Sequence, residues 1–305
     1  MVGALTPAEL ERAFAERLAQ LTPPNPPDRA PGVRPRAVVL GGQPAAGKST
    51  MSRLVHSALG ADRVVRYEAD DSLRVHPRYD VLRHQYGIQG LEMVADALEN
   101  GPNARLHEAI LAHICAGDPR YDLVASHPLA RQQWARRWAG DLRDLGYRCS
   151  FVYLVVNQAD SALSLAERHQ TALDTGGDGG WFDPELHDEF YDELPDTAQA
   201  LETEGLIDDI YLVDRGGSVL YENRRTASGT WERPPRVKDA ILEERAQPPT
   251  PASHDHLLRT ADRLLQRDDL APKVRETVER AVRREAERPE PQSVDRSQDI
   301  DVRLR

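Results

Sequence analysis

Lysine is almost missing from this chain: Lys48, Lys238 and Lys273 are its only three, so nearly all of the 39 basic residues are arginine. Against them stand 50 acidic residues and a net charge of -11. That balance excludes a surface built to coat a nucleic-acid backbone or an anionic membrane, and neither is expected as a partner. No apolar run approaches the ~18 residues of a membrane span, and no apolar h-region of a secretory signal opens the sequence. Cysteine is scarce as well. Cys115 falls in a predicted helix and Cys149 at a strand edge, which suits two reduced thiols in a cytoplasmic protein better than a disulfide framework.

With 305 residues the chain can form one large α/β domain with helical additions, or two smaller domains. Thr6-Pro7-Ala8-Glu9 has the form of a capping box, and Leu10, Phe14, Leu18 and Leu21 follow at helical spacing. Prolines between Thr22 and Gly32 make a connector. Short apolar runs then predict strands at 36–40, 63–67, 121–125, 150–156 and 209–213, with a hairpin strand at 218–222 after Gly216-Gly217. Helical patterns over 49–59, 103–116 and 131–145 lie between them. Buried-type strands alternating with helices imply a parallel sheet covered on both faces. The expected organisation is an N-terminal helix and connector (1–32), an α/β core (33–234) and a charged helical extension (235–305). That extension is broken at QPPTPASHD and disordered in part over 287–305.

The first strand runs into GGQPAAGKST, where Gly42-x-x-x-x-Gly47-Lys48-Ser49 is a complete phosphate-loop motif in its required strand-to-helix context. The chemistry dictates the residue types. Gly42, Gln43, Pro44, Ala45, Ala46 and Gly47 let backbone N–H groups curl around an anion, Lys48 bridges β- and γ-phosphates, Ser49 ligates Mg²⁺, and Thr50 follows in the helix. After the second strand, Glu68, Asp70 and Asp71 crowd into four residues. They repel one another unless a cation such as Mg²⁺ sits among them, and in P-loop kinases a carboxylate here accepts the proton of an attacking hydroxyl. A solvated acidic helix start accounts for the same residues.

GGQPAAGKST, the block EADDSLRVHPRYD (an acid-x-Asp element, then His-Pro and an aromatic), and the later stretches SALSLAERH, DPELHDEFYDELP and GLIDDIYLVDRGGSVLYEN occur in this order over about residues 36–223. Together they resemble the zeta toxins of bacterial toxin–antitoxin systems, kinases of UDP-N-acetylglucosamine. The resemblance implies a P-loop kinase-like three-layer sandwich that uses ATP and Mg²⁺ to phosphorylate the sugar 3′-hydroxyl. Aligned on His76-Pro77, Asp70 falls on the family's catalytic base and joins Ser49 as a candidate metal ligand, while Glu68 falls on the preceding acid. Arg168 falls on an arginine that reaches the phosphates. The resemblance further implies a protein antitoxin that occludes the nucleotide site.

The acceptor end departs from the pattern. Where the family has Glu-Gly-Thr followed closely by Arg, this chain has Ser126-His127-Pro128, with Arg131 one residue late; Trp181 stands where a second arginine is expected. A site stripped of a carboxylate changes its preference among sugar ligands. Ser126 and His127 are candidates for a different recognition pair, with a surface or capping histidine as the alternative. Trp134, Trp138, Trp181 and Phe182 either stack a base or sugar or pack helices, and Arg136 and Arg137 read as a solvated helix face. Three functions stay open: a zeta-type kinase, a kinase of another small alcohol, and a nucleotide-binding module without catalysis.

Overall fold

The computed structural model describes residues 3–86, 93–94, 96–98, 104–117, 120–177 and 182–292, with backbone only at 69, 70, 104, 105 and 107. Trp181 and most of the tail expected to be disordered lie outside the described residues. In chain order the elements are α1 (Pro7–Leu21), β1 (Arg36–Gly41), α2 (Lys48–Leu59), β2 (Val64–Glu68), a 3-10 turn (Ala69–Ser72), α3 (Tyr79–Tyr86), α4 (Ala104–Ala116), β3 (Asp122–Ser126), α5 (Gln132–Asp144), β4 (Arg148–Leu154), α6 (Gln158–Asp174), α7 (Pro184–Glu204), β5 (Asp209–Val213), β6 (Val219–Arg224), α8 (Val237–Arg245), α9 (Pro251–Leu265) and α10 (Pro272–Ala286).

The strands form one mostly parallel six-stranded sheet in the order β2-β3-β1-β4-β5-β6. The apolar runs explain it, because β1 and β5 are buried almost throughout and so need cover on both faces. β2 and β3 pair in parallel from Val64↔Asp122 to Glu68↔Ser126. β6 returns antiparallel to β5, as the Gly216-Gly217 turn predicts. There Asp214 Oδ1 accepts from Ser218 N at 2.8 Å and Gly217 takes φ 88°.

Two compact units divide the chain: residues 1–39, 49–127 and 139–150 make the first, and 40–48, 128–138 and 151–305 the second. In the first, the capping box forms as expected, with Thr6 N donating to Glu9 Oε2 (2.8 Å) and Glu9 N to Thr6 Oγ1 (3.3 Å). The buried stripe of α1, however, is Ala13, Arg17 and Leu21, while Leu10, Phe14 and Leu18 are only half-buried at its flank. The proline connector is pinned through Arg29, whose Nη1 donates to the buried Asp122 at 2.8 Å.

In the second unit the charged C-terminal helices are not an appendage. Leu257, Ala261 and Leu264 of α9 and Val274, Val278 and Ala281 of α10 share one apolar core with Ala159, Ala162, Leu163 and Ala166 of α6. The expected break at QPPTPASHD is shorter than its prolines suggest. Thr250 caps α9 by accepting from Ser253 N (3.2 Å), and Pro251 takes the first helical position, where its missing N–H costs nothing.

Candidate active site

The phosphate loop belongs, up to Lys48, to the second unit. Three of its residues turn through positive φ: Gly42 (143°), Ala45 (59°) and Gly47 (107°). At Gly42 glycine is required twice over, since a Cβ there would also stand 3.2 Å from the Leu154 carbonyl oxygen. Gly42 N donates to Pro128 O (3.0 Å) and Ala46 N to Gln43 O (3.2 Å). Lys48 Nζ curls back to donate to the carbonyls of Gly42 (2.6 Å) and Gln43 (2.9 Å). Gln43 is fully buried and donates through Nε2 to Val156 O at 2.8 Å.

Sequence reasoning passed over Arg215. Its Nη2 donates to the loop carbonyl of Ala45 (2.9 Å), to Ser164 Oγ (3.0 Å) and, more weakly, to Asp160 O (3.4 Å). The signal was the DRGG turn after β5, read there only as a hairpin. Arg168, expected to reach the phosphates, sits exposed on α6 and makes no hydrogen bond or ion pair among the described residues.

From Ser49 onward the motif lies in the first unit. Ser49 Oγ donates to Glu68 Oε2 at 2.9 Å. Glu68 is thus the last residue of β2 rather than the start of a loop, and its other oxygen accepts from Arg66 Nη1 at 2.5 Å. Its register partner on β3 is Ser126, whose buried Oγ has no hydrogen-bond partner among the described residues. Asp70 lies in the 3-10 turn directly after β2, and its side chain is outside the described residues.

That turn is anchored by a residue no pattern flagged. Arg17 of α1 is buried, and its guanidinium donates to Glu68 O (3.1 Å), Ser72 Oγ (3.3 Å) and Gln20 Oε1 (3.2 Å), with Asp71 Oδ2 3.7 Å away. It therefore holds the Glu68 carbonyl before Asp70 and the Ser72 side chain after it.

Of the other expected ligand-contacting residues, His76 is buried in the next turn. Its Nδ1 accepts from Arg78 N at 3.2 Å, and burial, aided by the Arg78 charge, keeps the ring below its ordinary pKa. Arg131 turns to α7, bonding Glu189 at 2.8 Å and lying over the rings of Trp134 and Phe190. Trp134 and Phe182 both pack against Phe190. Arg136 pairs with Glu204. His127 is half-buried just beyond β3.

Among the described residues no cluster of three metal-ligating side chains occurs and no helix is long and apolar enough to cross a membrane. A phosphate-bound Mg²⁺ does not need such a cluster, because phosphate oxygens and water supply most of its ligands.

The Zeta toxin family model matches residues 25–226. Toxin PezT of Streptococcus pneumoniae serotype 4 is 23% identical over 224 residues, covering 73% of this chain and 84% of that protein. Toxin zeta of Streptococcus pyogenes is 27% identical over 195 residues, 64% of this chain and 65% of its own length. Among solved structures, a chain from the PezAT chromosomal toxin–antitoxin system of Streptococcus pneumoniae superposes with a TM-score of 0.69 at 21% identity. The match covers 87% of this chain and all of that one, and speaks for the fold. With the family model spanning about two thirds of its length, this chain belongs to the Zeta toxin family.

Proposed function

We propose that the chain is an ATP- and Mg²⁺-dependent kinase that phosphorylates an alcohol, with the 3′-hydroxyl of UDP-N-acetylglucosamine as acceptor. The observation that carries this reading is the bond from Ser49 Oγ to Glu68 Oε2. It brings the hydroxyl of the phosphate-loop motif to the acidic end of β2, two residues before Asp70, the neighbourhood in which P-loop enzymes seat a nucleotide-bound divalent ion. The positive-φ loop, open at Gly42 only because no Cβ is present, suits an anionic guest equally.

In this proposal the loop amides and Lys48 bind the phosphates, Lys48 being already aimed by two loop carbonyls. Ser49 and Asp70 would hold Mg²⁺, which would offset the negative charge of the phosphates. Asp70 takes the proton of the acceptor hydroxyl, with Glu68 beside it. Arg168, exposed and unpaired among the described residues, is available to the transferring phosphoryl group, and Arg215 keeps the loop in shape through Ala45 O.

The test is phosphate transfer from Mg·ATP to UDP-N-acetylglucosamine beside Asp70→Asn and Lys48→Ala. Product that disappears in both variants supports the mechanism, and normal turnover in Asp70→Asn removes it. A second reading keeps the kinase and changes the acceptor. It is favoured by Ser126, whose buried hydroxyl, unpartnered among the described residues, replaces a carboxylate next to Glu68. Tight ATP binding without product, followed by a hit in a metabolite screen, would select it. We propose also a protein antitoxin as partner, tested by co-purification with the neighbouring gene product; absence of binding and of neutralisation would count against a toxin role.

A further inference from the structure

We infer that Ser161, His187 and Asp188 form a positioning relay that ties the phosphate loop to the C-terminal helix α10 and sets nucleotide affinity, an inference that rests on the loop being a nucleotide site. Every member lies in the second unit. The relay begins at Gln43, whose Nε2 donates to Val156 O (2.8 Å) and Ser161 Oγ (3.3 Å), while its buried Oε1 has no partner among the described residues. A flipped amide would set oxygen against the Val156 carbonyl, so the orientation is fixed. The loop side chain thus hangs from two acceptors only, one of them Ser161.

Ser161 Oγ lies 2.9 Å from His187 Nε2, and His187 Nδ1 lies 3.0 Å from Asp188 Oδ1. Asp188 also collects Gln158 Nε2 (2.9 Å), Arg284 Nη1 (3.1 Å) and Nη2 (2.7 Å), and Arg280 Nη1 (3.3 Å). Burial alone raises its pKa, but the hydrogen bonds from His187 and Arg284 and the Arg284 charge outweigh that and hold it well below the carboxylate range. With the ring neutral, an ionised Asp188 that accepts the Nδ1 proton leaves the lone pair on Nε2. The single Ser161 proton then points to Nε2 and its oxygen offers lone pairs to Gln43. Without that acceptor the hydroxyl turns to the carbonyls of Asn157 or Gln158, each 3.2 Å away.

A serine, histidine and aspartate in this order also describe a hydrolase triad. Here Ser161 and His187 are 0% and 1% exposed, so no substrate reaches the hydroxyl and the arrangement positions rather than attacks. Arg280 and Arg284 lie beyond residues 25–226, outside the stretch matched by the family model. The relay therefore links the C-terminal helix to a loop that lies inside that stretch.

The experiment is a double-mutant cycle on the full chain with Mg·ADP as probe, read by calorimetry for wild type, Asp188→Asn, Gln43→Met and the pair. Expected is a roughly tenfold loss of affinity in Asp188→Asn that shrinks below about twofold in the Gln43→Met background, the signature of coupled sites. Arg280→Met/Arg284→Met should reproduce it. Additive losses would overturn the relay, because a merely structural Asp188 weakens binding whatever stands at position 43. Nitrogen-15 NMR of His187 is the second measurement and needs neither nucleotide nor mutation: the relay requires the proton on Nδ1, and a proton on Nε2 overturns it. Should wild type bind no ADP, the nucleotide reading falls, while the tautomer and the shift of the 42–47 amides in Asp188→Asn still decide the relay.

Discussion

Replacing Arg17 by methionine should loosen the turn that carries Asp70, and its cost can be worked from the contacts. The guanidinium serves Glu68 O, Ser72 Oγ and Gln20 Oε1, with Asp71 at 3.7 Å. Gln20 is exposed and regains water; Ser72 is buried and does not. Stranding Ser72 Oγ and Glu68 O costs about 1–3 kcal/mol each, whereas the half-exposed pair with Asp71 contributes ~0–1 kcal/mol. Removing a buried guanidinium relieves its own desolvation, which offsets part of the loss. A net destabilisation of about 2–3 kcal/mol follows, or roughly 4–12 °C in Tm for a protein of this size. Urea unfolding and thermal melts measure it. Arg17→Lys should recover less than about 1 kcal/mol, since one ammonium cannot reach the three acceptors that a guanidinium fork serves. Under the proposed mechanism kcat also falls at least about tenfold, ~1.4 kcal/mol of lost transition-state stabilisation. Arg17→Met within about 0.5 kcal/mol of wild type, the range of an ordinary surface substitution, would refute the anchor.

Gly42→Ala puts a Cβ at φ 143° and 3.2 Å from Leu154 O. It should cost about 1–3 kcal/mol of stability and abolish ADP binding, both readable in one calorimetric titration series. Asp188 is depressed in the folded state, so its contribution is present above the ordinary carboxylate pKa of about 3.9 and is lost as pH falls through that value toward the folded one. Asp188→Asn should flatten the acid limb of the stability–pH curve below about pH 4; an unchanged limb would show that the carboxylate is not the titrating group. Burial pushes the Cys115 thiol up to about 11, against a weaker opposing hydrogen bond from Tyr147, and Cys149 is buried too. Both should resist a thiol reagent at pH 8 until denaturant is added, and fast labelling of the native protein would contradict the packing.

The phosphate loop was legible in the sequence because everything that defines it is local: an apolar strand, glycines where φ is positive, and a helix start, all within about a dozen residues. The β5–β6 hairpin was legible for the same reason. Arg17 was not, since an arginine in an arginine-rich chain reads as solvated. Only folding shows that Ala13, Arg17 and Leu21 form the stripe that faces β2 and the turn after it. Ser161, His187 and Asp188 escaped because Gln43 and Ser161 stand 118 positions apart, and Asp188 and Arg284 stand 96 apart. The C-terminal helices read as an extension because charge dominates their composition. The apolar residues that place them, such as Val274, Val278 and Ala281, are few and widely spaced.

The shared core of α6, α9 and α10 gives the chain an internal clock. Ala162 of α6 leaves the ribosome about 110 residues before Val274 and Val278, which cover its face. At ~5–20 residues per second that is a wait of roughly 6–22 s. Until it ends, Asp188 has none of its arginine partners and α6 shows its alanines to water. The phosphate loop, synthesised early, is thus among the last parts of the molecule to receive its full support.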